Sequence, residues 1–154
     1  MCGMLRARRL GWFKREYEVE TSSGPPVTVS GGKREACTFE LDGVGYRIER
    51  DGRKRFVLTG PNGRIATADR ETGRQWAIKA QGGNAKLVRP SIWRSGWELH
   101  QRGSAQGTIR HDGAFSRWYT ADLPADLDLS VRMLAFYVVL VLFERAAAAA
   151  AASG

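Results

Sequence analysis

An uninterrupted apolar run near the carboxyl end of the sequence constrains the fold more than any other feature. It spans eleven residues, 133–143. As a helix it is about 16 Å long, whereas the hydrocarbon core of a bilayer is about 30 Å thick. Extending the helix into the following alanines would place Glu144 and Arg145 near the bilayer midplane, where each costs roughly 2.5–3.5 kcal/mol. We therefore expect no transmembrane span.

The same run is apolar on every side, and a helix without a polar face must be surrounded. Because a lipid bilayer is disfavoured, we expect the helix to be surrounded by a β-sheet that wraps around it. A buried strand is the competing interpretation, because residues 137–143 are rich in β-branched side chains, but the length favours a helix. Asp126, Asp128 and Ser130 lie where helix caps and first-turn acids belong. The sequence predicts a helix over about residues 128–145 and a frayed alanine-rich tail over residues 146–154.

Turn-forming pairs recur about every ten residues through most of the remaining chain, a spacing typical of short antiparallel strands. The pairs are Asp42-Gly43, Asp51-Gly52, Asn62-Gly63, Thr72-Gly73, Gly82-Gly83, Ser95-Gly96, Gly103-Ser104 and Asp112-Gly113. Between them apolar and polar side chains alternate, so each strand has one apolar face. Further strands are expected at residues 12–20, 27–30 and 36–41, for about ten or eleven strands in all.

Large aromatic residues recur with a longer period. Trp76, Trp97 and Trp118 are 21 residues apart, and Phe56 precedes Trp76 by 20. This spacing predicts repeated hairpins whose aromatic side chains stack on the inner face as core, rather than as a platform for nucleic-acid bases. We therefore expect a mainly β protein, in which an antiparallel meander closes into a barrel of roughly 10–12 strands around a buried C-terminal apolar helix. Residues 1–145 are expected to form one domain.

Three segments carry a resemblance to a known superfamily. They are the hairpins FELDGVGYRIERDGRKRFVL at residues 39–58, the strand GRIATADR at residues 63–70 and the segment DLPADLDLSVRMLAFYVVLVLFER at residues 122–145. Together they resemble the tubby C-terminal-like superfamily, which includes the tubby proteins, the phospholipid scramblases and the LURP-one-related proteins. The chain looks most like the small bacterial LURP-one-related members. The resemblance implies an antiparallel barrel wrapped on a C-terminal apolar helix.

The resemblance also implies a class of ligand. Tubby domains bind phosphoinositide headgroups through Lys and Arg, although their pocket does not map onto numbered residues of this sequence. Scramblases carry a palmitoylated cysteine cluster and an acidic calcium-binding segment, whereas this chain has two cysteines, Cys2 and Cys37. Its acidic group, Asp122, Asp126 and Asp128, is better explained by helix capping than by calcium, because no glycine-centred loop or bidentate Glu follows. Lipid scrambling is therefore not expected.

Basic residues dominate the charge, with a formal net charge of +8. Such a surface either attracts anionic partners or only keeps the protein in solution, and the composition leaves both open. Two segments concentrate the charge, and we expect them to be the anion-binding candidates. They contribute Arg50, Arg53, Lys54 and Arg55 from residues 50–55, and Arg6, Arg8, Arg9, Lys14 and Arg15 from residues 6–15. The alternatives are a solvated hairpin tip and a basic, frayed amino-terminal tail.

No motif predicts catalysis, a metal or a cofactor. His111 and Asp112 are better explained by a turn than by an oriented catalytic pair, and His100 should face solvent. Cys37 opens a strand and is expected to be a small buried side chain. The segment GPNGR at residues 60–64 is glycine-rich but joins two strands and lacks the Lys-Ser/Thr of a phosphate loop, so it is expected to be a hairpin turn. An enzyme is therefore disfavoured.

Two hypotheses of function follow. The first is a non-enzymatic barrel that binds anionic headgroups such as phospholipids through surface arginines. The second is a structural or regulatory domain that binds another protein, such as an acidic one, and no small molecule. Nucleic-acid binding is disfavoured, because the basic residues are dispersed and the aromatic residues are expected to point inward. The sequence favours a cytoplasmic protein, peripheral at a membrane under the first hypothesis, and leaves the oligomeric state open.

Overall fold

Twelve antiparallel strands close into a barrel within the part of the chain that the structure, a computed structural model, describes: residues 2–11, 15–22, 24–91, 96–113 and 115–153. The strands are β1 Cys2–Arg9, β2 Glu16–Thr21, β3 Gly24–Gly31, β4 Cys37–Leu41, β5 Val44–Arg50, β6 Arg55–Gly60, β7 Gly63–Thr72, β8 Gln75–Ala80, β9 Ala85–Val88, β10 Trp97–Gln101, β11 Ser104–His111 and β12 Trp118–Pro124. Each strand pairs with its neighbours in the chain. The predicted closed meander of roughly 10–12 strands is confirmed.

The barrel is closed by its first and last strands. β1 pairs with β12 in a register that runs from Cys2 opposite Pro124 to Arg8 opposite Trp118. Leu5 and Ala7 point inward and are buried. The alternative of a basic, frayed amino-terminal tail is therefore wrong over β1, because this segment supplies the pairing that leaves no open sheet edge.

The connections between strands are short where turn residues were predicted. Between β4 and β5, Asp42 and Gly43 both have positive φ, at 51° and 77°. This is the requirement of the tight hairpin turn whose twist matches that of the flanking strands. Residues 61–62 join β6 to β7, which confirms the GPNGR segment as a hairpin turn. Of the other predicted strand and turn positions, residues 12–14 and Ser95 lie outside the described residues.

A single helix, α1 Leu129–Ser153, runs through the barrel within the described part of the chain. Its inward-packed segment is the predicted apolar run, and Leu134, Ala135, Val138 and Val139 are each 0% exposed. The predicted buried helix is confirmed. The helix continues past its predicted end near Arg145 to Ser153, because alanine has the highest intrinsic helix propensity.

The two ends of the barrel differ in what they hold, and we name them by the helix. The start end is where α1 begins, beside the turns at residues 42–43, 61–62 and 81–84. The exit end is where α1 leaves, and among the described residues it is formed by the connections at residues 10–11 and 15, 32–36, 51–54, 73–74, 89–91 and 96, and 112–113 and 115–117. Residues 146–153 of α1 project from the exit end and are exposed.

The aromatic repeat is only partly a core feature. Phe56, Trp76 and Trp97 are buried inside the barrel, as predicted. Trp118 is half-buried and lies on the outer face, because its neighbour Tyr119 takes the inward position on β12. The prediction of an inward Trp118 is therefore wrong. The guanidinium of Arg6 lies 4.1 Å from the centre of the Trp118 ring, a favourable cation–π contact.

Candidate anion-binding site

The exit end concentrates the positive charge of the described chain. Its connections carry the basic residues Arg15, Lys33, Arg34, Arg53, Lys54, Arg74, Arg89 and Arg117, and the acidic residues Glu35, Asp51 and Asp112. By contrast, the segments at the start end carry Asp42, Arg102, Asp126 and Asp128. The helix therefore leaves the barrel through a predominantly basic rim.

One carboxylate, Glu35, ties the helix to this rim. Arg145 donates two hydrogen bonds to it, from Nε to Oε2 at 2.9 Å and from an Nη to Oε1 at 2.6 Å. Arg50 donates a third to Oε1 at 3.0 Å. Glu35 and the preceding Arg34 both have positive φ, 62° and 55°, which is uncommon for residues other than glycine. The backbone there is held in place because the Tyr137 hydroxyl on α1 donates to the Glu35 carbonyl oxygen at 2.9 Å.

A second carboxylate, Glu144, ties the helix to Arg15 in the neighbouring β1–β2 connection and to Tyr17 on β2. Arg15 donates from Nε to Oε2 at 2.5 Å, and the Tyr17 hydroxyl donates to Oε1 at 2.6 Å. Burial and the adjacent Glu144 carboxylate raise the pKa of Tyr17, so its hydroxyl remains a donor. Glu144 and Arg145 therefore act as anchors at the point where the buried helix becomes exposed.

The Glu35 cluster predicts a pH-dependent part of stability. Burial alone would raise the pKa of Glu35, but hydrogen bonds and attraction from Arg145 and Arg50 outweigh it and lower the pKa. Its contribution is therefore present above the ordinary Glu pKa of about 4.3 and is lost as the pH falls through the lower folded-state value. We expect Glu35→Gln to reduce the free energy of unfolding by about 1–2 kcal/mol at pH 7.

Urea unfolding of both proteins at a series of pH values checks this expectation. The difference between wild type and Glu35→Gln should shrink as the pH falls below about 4, because the wild-type carboxyl becomes neutral as well. Glu40→Gln is the matched control, since Glu40 is exposed on β4 and should change stability little. A difference that stayed constant over the whole pH range would contradict the role of Glu35 as a charged anchor.

A basic cleft lies beside these anchors. It has a volume of about 300 Å³ and is lined by Arg53, Lys54, Arg70, Gly73, Trp76, Leu142 and Arg145. Four of these side chains are cations and none is a carboxylate. Arg145 is neutralised by Glu35, whereas Arg53, Lys54 and Arg70 are exposed and form no ion pair with any described residue. The cleft therefore combines unneutralised positive charge with a concave surface, which is what an anionic group requires.

The structure divides the candidates from residues 50–55 into two pairs. Arg53 and Lys54 line the cleft. Arg50 contacts Glu35, and Arg55 donates from Nε to Asp69 at 2.5 Å, so both of these are committed to ion pairs. The nearest acid in the same turn, Asp51, lies 3.9 Å from Arg55 and is outside the cleft lining.

The described candidates from residues 6–15 do not join the cleft. Arg6 and Arg8 lie on the outer face of β1, next to Trp118, and pair at 3.5 Å with Asp112 and Glu18 respectively. Arg9 donates to the carbonyl oxygen of Gly11, and Arg15 is occupied by Glu144. Lys14 lies outside the described residues.

Sequence reasoning missed two basic members of the cleft. Arg70 is near the end of β7, and Arg145 is on α1, so neither is close in sequence to the β5–β6 turn. The backbone N–H of Arg70 donates to the carbonyl oxygen of Lys54 at 2.9 Å, and Arg145 donates to that of Arg53 at 3.1 Å. These backbone contacts bring the three elements together. The only sequence signal was that each element carries a basic residue near the same end of the barrel.

A larger pocket of about 550 Å³ lies at the start end. Its lining includes Tyr46, Arg64, Asp126 and Asp128, so its charges are mixed. Among the described residues, no group of three or more His, Cys, Asp or Glu side chains could hold a metal ion. The start-end pocket therefore offers no concentrated charge for an anion and no ligand set for a cation.

The remaining reactive side chains are held in structural contacts. Cys37 is buried as predicted, and burial raises the pKa of its thiol to about 12, which suppresses the thiolate. His111 stacks on Tyr119 at 4.4 Å, and Asp112 accepts from the Thr120 hydroxyl at 2.9 Å. His100 is partly exposed and lies 2.9 Å from Glu98. None of these contacts forms an activated nucleophile.

Comparison with known proteins adds no further assignment. No family model matches this sequence, and the searches of curated proteins and of solved structures found no match. By length and composition alone, Leu129–Ser153 could cross a membrane, but half of its most apolar window is buried inside the barrel. The core helix of a barrel passes the same test, so this is weak evidence for a span.

Proposed function

We propose that this protein is a non-enzymatic barrel that binds anionic headgroups, such as those of phospholipids, in the basic cleft at the exit end. The observation that carries the proposal is that Arg53, Lys54 and Arg70 line one concavity that contains no carboxylate. Each basic residue near an acidic membrane contributes about 1 kcal/mol, and the attraction is screened over about 10 Å at 0.1 M salt.

The same proposal places the protein with the tubby C-terminal-like superfamily, and closest to its small LURP-one-related members. The barrel wound around a C-terminal helix supports this relationship at the level of architecture. It also supports a peripheral rather than a spanning contact with membranes, because the residues that would enter lipid are packed inside the barrel. A cytoplasmic location is part of the proposal.

A panel of acidic vesicles, neutral vesicles and nucleic acid, run at two salt concentrations, tests the function. We expect saturable binding to vesicles that contain acidic lipid, weaker binding at the higher salt concentration and no binding to neutral vesicles. Binding that is selective for particular headgroups would support the proposal that the cleft binds them. Binding to nucleic acid as tight as that to acidic vesicles would show a general attraction to negative charge.

The alternative is a structural or regulatory domain that binds a protein partner. It is favoured by the number of arginines already engaged by carboxylates, since Arg15, Arg50, Arg55 and Arg145 all serve the fold. A panel without binding to any vesicle or nucleic acid would contradict headgroup binding and support this alternative.

A further inference from the structure

Phe115 is the most exposed large apolar side chain of the described chain, with its whole surface accessible. It lies in the connection between β11 and β12, at the exit end. Beside it is a depression of about 290 Å³ whose lining includes Arg9, Arg117, His111 and Tyr119. A turn needs no phenylalanine for its geometry, because Gly, Asn, Asp, Ser and Pro are the residues that turns favour.

A second apolar element projects from the same end. After Arg145, the exposed part of α1 consists of alanines up to Ala152, followed by Ser153. These seven alanines extend about 10 Å along the helix axis. No charged side chain interrupts this segment, and the charged residues that precede it, Glu144 and Arg145, are both held by the rim.

The charged residues around these apolar elements are mostly basic. The basic cleft lies beside the emerging helix, and the connections of the same rim also carry Lys33, Arg34, Arg74 and Arg117. The acidic residues Asp42, Asp126 and Asp128 lie at the start end, on the far side of the barrel. The protein is therefore polarised along the helix axis, with basic charge and projecting apolar groups at one end.

We propose that the exit end docks onto an anionic lipid bilayer, with Phe115 and the alanines of residues 146–152 in the interface and the basic rim at the headgroups. This inference rests on the proposed function and adds the partner, its orientation and an apolar contact. A soluble anion needs only the cleft and gives no role to Phe115. A bilayer accommodates both features, since apolar groups enter the headgroup–acyl boundary while Lys and Arg remain at the phosphates. The helix axis is then steeply inclined to the membrane plane, and the start end, with its mixed charges, faces away.

An environment-sensitive label tests the orientation in the full-length protein. A cysteine is introduced as Phe115→Cys or, for the opposite end, as Asn62→Cys in the β6–β7 turn, each with Cys2→Ser. Cys37 remains because it is buried and its pKa is about 12, so it does not compete for the label. The labelled proteins are mixed with vesicles of phosphatidylcholine with or without phosphatidylserine.

We expect the nitrobenzoxadiazole label at position 115 to shift to shorter wavelength and gain intensity with phosphatidylserine vesicles, and the label at position 62 to stay unchanged. An equal response at both positions, or none at 115 although the protein sediments with the vesicles, would overturn the orientation and leave headgroup binding standing. Absence of sedimentation with any vesicle would overturn both proposals.

An unlabelled variant tests the apolar contact independently. Phe115→Ser should weaken binding to phosphatidylserine vesicles by roughly fivefold or more, because the apolar surface no longer leaves water. The matched control is Val44→Ser at the start end, where Val44 is 37% exposed, and it should leave the affinity unchanged. Equal affinities for wild type and Phe115→Ser, with normal thermal unfolding of both, would overturn the insertion of Phe115. An equal loss of affinity in Phe115→Ser and Val44→Ser would also overturn the insertion of Phe115, because the membrane would then show no preference for the exit end.

Discussion

Replacing Leu140 with arginine should unfold the protein rather than weaken it at one position. Leu140 is 3% exposed and lies on the part of α1 enclosed by the barrel. Its burial contributes roughly 1.5–3 kcal/mol, and an unpaired charge in its place costs several kcal/mol more. Since domains are typically stable by only about 5–15 kcal/mol, we expect Leu140→Arg to lose the cooperative thermal transition.

Circular dichroism during heating measures this effect, and the helix supplies its own control. Ala148→Arg introduces the same side chain into an exposed position of α1 and should leave the unfolding temperature close to that of wild type. Leu140→Ala gives a graded version, with an expected loss of about 2–5 kcal/mol. A normal transition for Leu140→Arg would show that the helix does not fill the barrel. A folded variant that had lost only self-association would show instead that this run is an interface between subunits.

The second large effect is expected in the basic cleft. The double change Arg53→Glu plus Lys54→Glu should reduce binding to acidic vesicles at least tenfold at low salt, because two attractive charges become repulsive within the concave site. Folding should be unaffected, since both side chains are exposed and form no ion pair with any described residue. Vesicle sedimentation gives the affinity, and thermal unfolding checks the fold.

A charge-matched control separates the site from the net charge. Arg64→Glu plus Arg102→Glu changes the net charge of the protein by the same amount but at the start end, where both residues are exposed. We expect this variant to bind acidic vesicles nearly as well as wild type. Equal losses in the two double variants would show that binding follows overall charge and not the cleft. If the Arg53 and Lys54 double variant bound acidic vesicles as tightly as wild type, the cleft would not be the binding site.

Much of the fold could be predicted because two periodicities dominate the sequence. The all-round apolar run at residues 133–143 requires enclosure, and the alternation along strands such as β8 supplies sheets with one apolar face. A sheet of ten or more strands that must surround a helix is most simply arranged as a closed barrel. That inference uses burial alone and needs no knowledge of the turns' detailed geometry.

The features that were predicted wrongly lie where another sequence signal disagreed with the alternation of apolar and polar side chains along a strand. Leu5 and Ala7 alternate with Arg6 and Arg8, yet the basic charge suggested a tail instead of the strand β1. At Trp118 the longer aromatic repeat suggested an inward side chain, whereas the local alternation along β12 places Tyr119 inward. In both cases the pleat of the strand, which is fixed by backbone geometry, prevailed over composition and spacing.

The candidate site was predictable only in part, because it is assembled from separate elements. Arg53 and Lys54 were predicted from local charge density. Their separation from Arg50 and Arg55 depends on the carboxylates Glu35 and Asp69, which come from other connections and strands. Charge density in a sequence therefore shows where cations are abundant, but only the fold shows which of them are neutralised.

The position of the helix after the last strand has a consequence for biosynthesis. A ribosome adds about 5–20 residues per second, so all twelve strands are made before the segment that occupies their common interior. Until Leu134 and Val138 have left the exit tunnel, the nascent sheet has no side chains to cover its inner face, and β1 must wait for β12 before it can pair. Non-local pairing of this kind slows folding and prolongs exposure of apolar surface. We therefore expect the growing chain to be most prone to aggregation in the interval before the helix has been made.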